Sequence, residues 1–137
     1  MSNELKERME KIREYHKKGY NCAQAIVCAY ADKVDVEKET LFKIAEGFGL
    51  GMGGMSGTCG AISAAIILNG LKTSTGNMDA PNSKMQTYEI GKLISDEFLQ
   101  KNGTLMCREL KGIDTKKVVR SCSGCMEDVA ELIEKYL

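Results

Sequence analysis

Six cysteines stand in a chain of 137 residues, at positions 22, 28, 59, 107, 122 and 125. As thiolates, cysteines hold soft metals or attack disulfides; as buried thiols they pack like small apolar residues. Surroundings decide between these roles. A thiol in the first turn of a helix meets unpaired N–H groups and the positive end of the helix dipole, and both favour the thiolate. Four of the six follow a helix-start signal: Cys22 after Asn21, Cys59 after a glycine run, Cys107 after Thr104 and Cys125 after Ser123. Cys22, Cys59, Cys107 and Cys125 are therefore the candidate metal ligands or reactive thiols. Cys122 forms a C-x-x-C pair with Cys125 and is a further candidate ligand. Cys28 lies six residues after Cys22, so it points elsewhere on a helix and reads as core.

Seven of the fourteen glycines fall between Gly47 and Gly60, in GFGLGMGGMSGTCGAISAA, which begins at Gly47 and ends at Ala65. Glycine permits positive φ and close approach of another group to the main chain. A glycine loop feeding a helix also aims free N–H groups at a negative species. Gly51, Gly53, Gly54, Gly57 and Gly60 are the candidate cofactor-binding positions. Met52 and Met55 could offer soft sulfur ligands, although packing is the commoner use of methionine. The formal G-x-G-x-x-G at Gly49, Gly51 and Gly54 lacks a preceding strand and a later acidic residue, so a dinucleotide site is set aside. No lysine follows the glycines as a phosphate loop requires. No second C-x-x-C exists for a zinc ribbon, and clustered ferredoxin spacing is absent. The only histidine, His16, sits in a charged stretch and reads as a surface residue, with no histidine placed near the cysteines.

Seven segments must position these thiols. Residues 3–18 form an amphipathic helix with Leu5, Met9, Ile12 and Tyr15 inward. A second runs from Cys22 to about Lys33. A third runs from about Val36 to Phe48, with Leu41, Ile44, Ala45 and Phe48 inward. A fourth runs from about Gly57 to Leu71 and is apolar on nearly all sides, as expected of a central helix. Residues 72–82 form a polar loop. A fifth helix covers about Ser83 to Lys101, with Met85, Tyr88, Ile90, Leu93, Ile94, Phe98 and Leu99 as its apolar positions. A short helix, LMCREL, follows Thr104, and the last follows Ser123. No run of alternating β-branched residues appears. The expectation is an all-α single domain over 1–137: a bundle of about five to six helices around a central apolar helix, with the glycine-rich loop before it.

Lys+Arg and Asp+Glu balance at 19 each, so no overall field draws the chain to nucleic acid or to an anionic membrane. No apolar run is long enough to span a bilayer, and the N-terminus is charged with no leader-like segment. A cytoplasmic location is expected. In a reducing cytosol six cysteines speak for metal or redox work rather than structural disulfides.

The order NCAQA, GFGLGMGG, CGAISAA, CREL and a final C-x-x-x-V resembles the redox-active family named for its C–GCAxxG–C–C cysteine pattern. The resemblance runs from about residue 20 to the end. Its four characteristic cysteines fall on Cys22, Cys59, Cys107 and Cys125, with Cys28 and Cys122 additional. It implies a redox-associated role with an iron–sulfur cluster or other metal.

Three functions follow. The thiolates hold an iron–sulfur cluster or another thiophilic metal, for electron transfer or delivery to a redox partner protein. Alternatively, Cys59 is the catalytic thiolate of a thiol–disulfide oxidoreductase, resolved by Cys22, Cys107 or Cys125. In the third, the helical domain binds a small ligand or partner and the cysteines are structural. The apolar central helix and mixed surface permit a homodimer.

Overall fold

The computed structural model describes residues 2–137. Helix α1 (Asn3–Lys17) opens on Ser2, whose hydroxyl accepts the Leu5 N–H at 3.1 Å. Helix α2 (Cys22–Ala29) opens on Asn21 and Gln24, which exchange side-chain and backbone hydrogen bonds at the cap. It ends earlier than its apolar pattern suggests, passing into a 3₁₀ turn at Ala31–Lys33. Helices α3 (Lys38–Glu46), α4 (Gly60–Thr73) and α5 (Lys84–Asn102) follow, then a single turn α6 (Cys107–Leu110) and α7 (Cys122–Tyr136). The architecture is all-α, and no strand occurs among the described residues beyond an isolated bridge between Thr58 and Met106.

The direction of the helices is legible at two cavities. The first is lined by Cys22 at the start of α2, by Cys59 and Gly60 at the start of α4, and by Cys122 and Cys125 at the start of α7. The second is lined by Tyr30, Leu68, Lys72, Ile133 and Glu134, which lie at or just beyond the other ends of the same helices. Helices α2, α4 and α7 therefore run parallel, with their N-termini gathered in one place. The others return the chain. In α1, Glu4 borders the second cavity and His16 the first. In α3, Lys38 lies beside Cys28 and Glu46 beside Asn21. In α5, Glu97 bonds Lys135 and Tyr136, whereas Lys101 and Asn102 bond Asp128.

The core is one contiguous cluster whose deepest members include Ile26, Leu41, Ile62, Leu68, Ile94, Phe98 and Val129. Centrality is shared. Every residue of α2 after Cys22 is buried, while α4 leaves Ile66 and Leu71 partly exposed. Two expected inward faces turn out differently. On α3 only Leu41 and Ala45, one turn apart, are buried; Ile44 is exposed and Phe42 packs edge-on against Tyr20 instead. On α5 only Ile94 and Phe98 are buried, Ile90 is half-buried, and Met85, Tyr88, Leu93 and Leu99 face outward. A stripe one side chain wide suffices where a helix touches the core only along part of its length.

Between α3 and α4 the glycine run makes a left-handed turn: Leu50, Gly51, Met52 and Gly53 all carry positive φ. The non-glycine positions Leu50 and Met52 each cost about 1 kcal/mol in this conformation. No helix among the described residues is long and apolar enough to cross a membrane.

Candidate functional site

Cys59 is the cap residue of α4 rather than a residue within its first turn. Two hydrogen bonds fix its backbone neighbourhood. The Cys59 N–H donates to the Leu105 carbonyl at 2.8 Å, and the Cys107 N–H donates to the Gly57 carbonyl at 3.1 Å. With the Thr58–Met106 bridge between them, these bonds lock the segment after the glycine run to the segment before α6. Two thiols 48 positions apart in sequence thereby border one cavity.

Close packing at glycine holds the remaining walls. A Cβ on Gly60 would lie 2.6 Å from the Cys22 sulfur and 2.8 Å from the Phe48 carbonyl oxygen. Gly51 lies against the Cys107 side chain, and Gly49 against that of Asn21. Asn21 in turn donates from Nδ2 to the Glu46 carbonyl at 2.9 Å, fixing the start of α2 to the end of α3. The other candidate glycines differ. Gly57 packs on Met52, while Gly53 and Gly54 face open space. Of the five, only Gly60 lines the cavity. Met52 is 56% exposed, and neither Met52 nor Met55 lines it.

The cavity has a volume of about 190 Å³ and five of the six cysteines in its walls: Cys22, Cys59, Cys107, Cys122 and Cys125. The sixth, Cys28, is 2% exposed in the core, as its spacing suggests. Leu50 and Leu110 supply apolar wall, and His16, Lys111 and Arg120 add basic side chains. His16 is thus a wall residue of the thiol cavity, contrary to the expectation that no histidine stands near the cysteines. The antiparallel return of α1 brings its C-terminal end there, which spacing in sequence cannot reveal.

The thiols are not equivalent. Cys59 is lowered from 9.0 to about 7. Its interaction with the neighbouring Cys125 thiol is the largest cause; burial opposes it, and the Ala61 and Ile62 N–H groups and the Lys111 charge assist. Cys125 is pushed well above the ordinary thiol range, first by its interaction with Cys59 and then by burial. Cys22 is raised to about 11, chiefly by burial and then by the Cys59 charge. Burial raises Cys107 as well. The expectation that each helix start makes a thiolate is therefore corrected: burial is the leading influence on Cys22 and Cys107 and raises both. Cys125 also begins elsewhere than expected. Ser121, not Ser123, caps α7, its hydroxyl accepting the Gly124 N–H at 3.0 Å, so Cys122 takes the first position and Cys125 the fourth. Thr104 does not cap α6 either; its hydroxyl accepts the Met106 N–H and donates to Glu109, and Cys107 begins the turn.

Arg120 completes the wall. Its guanidinium donates twice to Asp128, at 3.1 and 3.0 Å, and its carbonyl accepts from the Cys125 sulfur at 3.9 Å. Asp128, 5% exposed, also accepts from Lys101 and Asn102. This buried carboxylate holds Arg120 beside the thiols, a role that its reading as an acidic residue near the start of the last helix does not reveal.

As a donor set, five thiols suit a soft metal or cluster. Their placement does not fit a single ion: among the described residues no three His, Cys, Asp or Glu side chains come together as a metal-ligand group. Comparison with curated proteins and with solved structures gives no match. A protein-family model described as "Putative redox-active protein (C_GCAxxG_C_C)" matches residues 20–136.

Proposed function

The chain belongs to the C_GCAxxG_C_C family, and from that premise we propose that it is a thiol–disulfide redox protein in which Cys59 is the nucleophile and Cys125 the resolving thiol. The observation carrying this reading is that Cys59, at the cap of α4, and Cys125 line the same cavity; the neighbouring Cys125 and the Ala61 and Ile62 N–H groups lower Cys59, whereas Cys125 is raised and keeps its proton. A thiol with its pKa near ambient pH is the best attacker in disulfide exchange. The Cys59 thiolate attacks one sulfur of a substrate disulfide. That S–S bond breaks, a mixed disulfide forms at Cys59, and one substrate thiolate departs. The Cys125 sulfur then attacks Cys59, its proton passing to a departing thiolate. The pair closes as a disulfide, the substrate is reduced to two thiols, and the protein is oxidised by two electrons. A redox partner protein or external thiol resets the pair.

The test is alkylation under reducing conditions, followed by disulfide mapping after mild oxidation. Cys59 should be modified first, with a pH midpoint near 7, and Cys59–Cys125 should be the bridge recovered. A midpoint at the ordinary value near 9, or no bridge between these two, overturns the assignment.

A second reading is favoured by five cysteines facing one cavity. There, Cys22, Cys59, Cys107 and Cys125, with Cys122 in reserve, would hold an iron–sulfur cluster or other thiophilic metal, which requires the thiols to draw closer than they stand in this structure, where they form no ligand group. Anaerobic purification with a visible spectrum and metal analysis separates the two. Iron with sulfide and a broad absorption band selects the cluster, and a colourless, metal-free protein with a reversible disulfide selects exchange.

A further inference from the structure

The thiol cavity carries a charge bias that the chain as a whole lacks. The chain is balanced at 19 basic and 19 acidic residues, yet no Asp or Glu lines this cavity, while Lys111 and Arg120 do. Arg120 shares its charge with Asp128, but Lys101 binds the same carboxylate, so the group of three remains net positive. Lys111 is half-buried and makes no ion pair with any carboxylate among the described residues. The N-termini of α2, α4 and α7 add their positive ends to the same space. With a volume of about 190 Å³, the cavity has room for a small molecule but not for a folded chain.

We infer that the substrate of this site is a small disulfide bearing carboxylate groups close to its sulfurs, with Lys111 as the residue that receives the carboxylate while Cys59 attacks. This rests on the thiol-exchange reading and supplies its substrate class. A cationic disulfide meets the same wall as a repulsive surface, so selectivity comes from rejection as much as from attraction.

The experiment uses three aliphatic disulfides that differ chiefly in charge: dithiodiglycolate (anionic), hydroxyethyl disulfide (neutral) and cystamine (cationic). Loss of the Cys59 thiol is followed by peptide mass after acid quench. Each rate is divided by that of a small reference thiol with the same probe, which cancels differences between leaving groups. The normalised rates should fall in the order anionic, neutral, cationic, spanning about tenfold or more. Added salt should compress the span, Lys111→Gln should collapse it, and Lys111→Arg should restore most of it. Rates independent of probe charge, with Cys59 still reacting, overturn the substrate class. An order that survives Lys111→Gln overturns the role of Lys111. Failure of Cys59 to react with any of the three overturns the thiol-exchange reading underneath.

Discussion

At Cys59 a side chain and its cap position act on one atom. Cys59 occupies the cap position of α4 without closing a side-chain cap hydrogen bond, and the nearby N–H groups of Ala61 and Ile62 favour its anion. A pKa lowered on folding links charge to stability, and the sign is fixed. The native thiolate stabilises the fold fully above the unfolded value of 9.0, and that contribution is lost as pH falls through about 7. Cys22 works in reverse: its contribution is complete below 9.0 and is lost as pH rises through about 11. Between about pH 8 and about pH 6 only the first matters. Denaturant titrations should show the wild type losing about 1 kcal/mol over that interval relative to Cys59→Ser. Parallel curves for the two proteins would refute a native thiolate at Cys59.

Among the elements, the glycine run divides into positions that shape the site and positions that only turn the chain. Gly60→Ala forces a methyl group into the Cys22 sulfur and the Phe48 carbonyl, so it should cost about 2 kcal/mol and slow Cys59 alkylation. Gly53→Ala meets no atom but keeps φ at +85°, which should cost about 1 kcal/mol with the thiols untouched. Gly54→Ala has neither obstacle and should stay within about 0.5 kcal/mol of wild type. Urea midpoints together with thiol reactivity check all three, and equal effects at Gly60 and Gly54 would break the argument. The same run measures what sequence reveals. Its role as a turn before an apolar helix follows from glycine count and from the small residues after Cys59, and Asn21 announces α2 because its side chain and Gln24 form a local cap. The α7 start is equally local: in Ser-Cys-Ser-Gly-Cys either serine can cap, and Ser121 is the one that does. What stays hidden is everything fixed by distant partners, such as the Thr58–Met106 bridge, the arrival of His16 at the thiols and the outward face of α5.

Across the whole molecule, three parallel helices hold four of the five cavity thiols at one end, and Asp128 ties that end together by binding α5 through Lys101 and Asn102 and the cavity wall through Arg120. Burial alone would raise the Asp128 carboxyl, but its Arg120, Lys101 and Asn102 bonds bring it below the ordinary value. Asp128→Ala leaves Arg120 without its buried partner and should cost about 3 kcal/mol, read from chemical denaturation. A loss below about 1 kcal/mol would mean that the network holds little together. The parallel arrangement has an electrochemical consequence. The positive ends of α2, α4 and α7 face a sulfur that is anionic when reduced and neutral once it joins a disulfide. The field therefore favours the reduced state, and each pKa unit by which Cys59 is depressed raises the reduction potential of the couple by about 30 mV at pH values where it is ionised. In the proposed Cys59–Cys125 couple, a bundle wired in this direction would make the disulfide an acceptor of electrons rather than a store of stability.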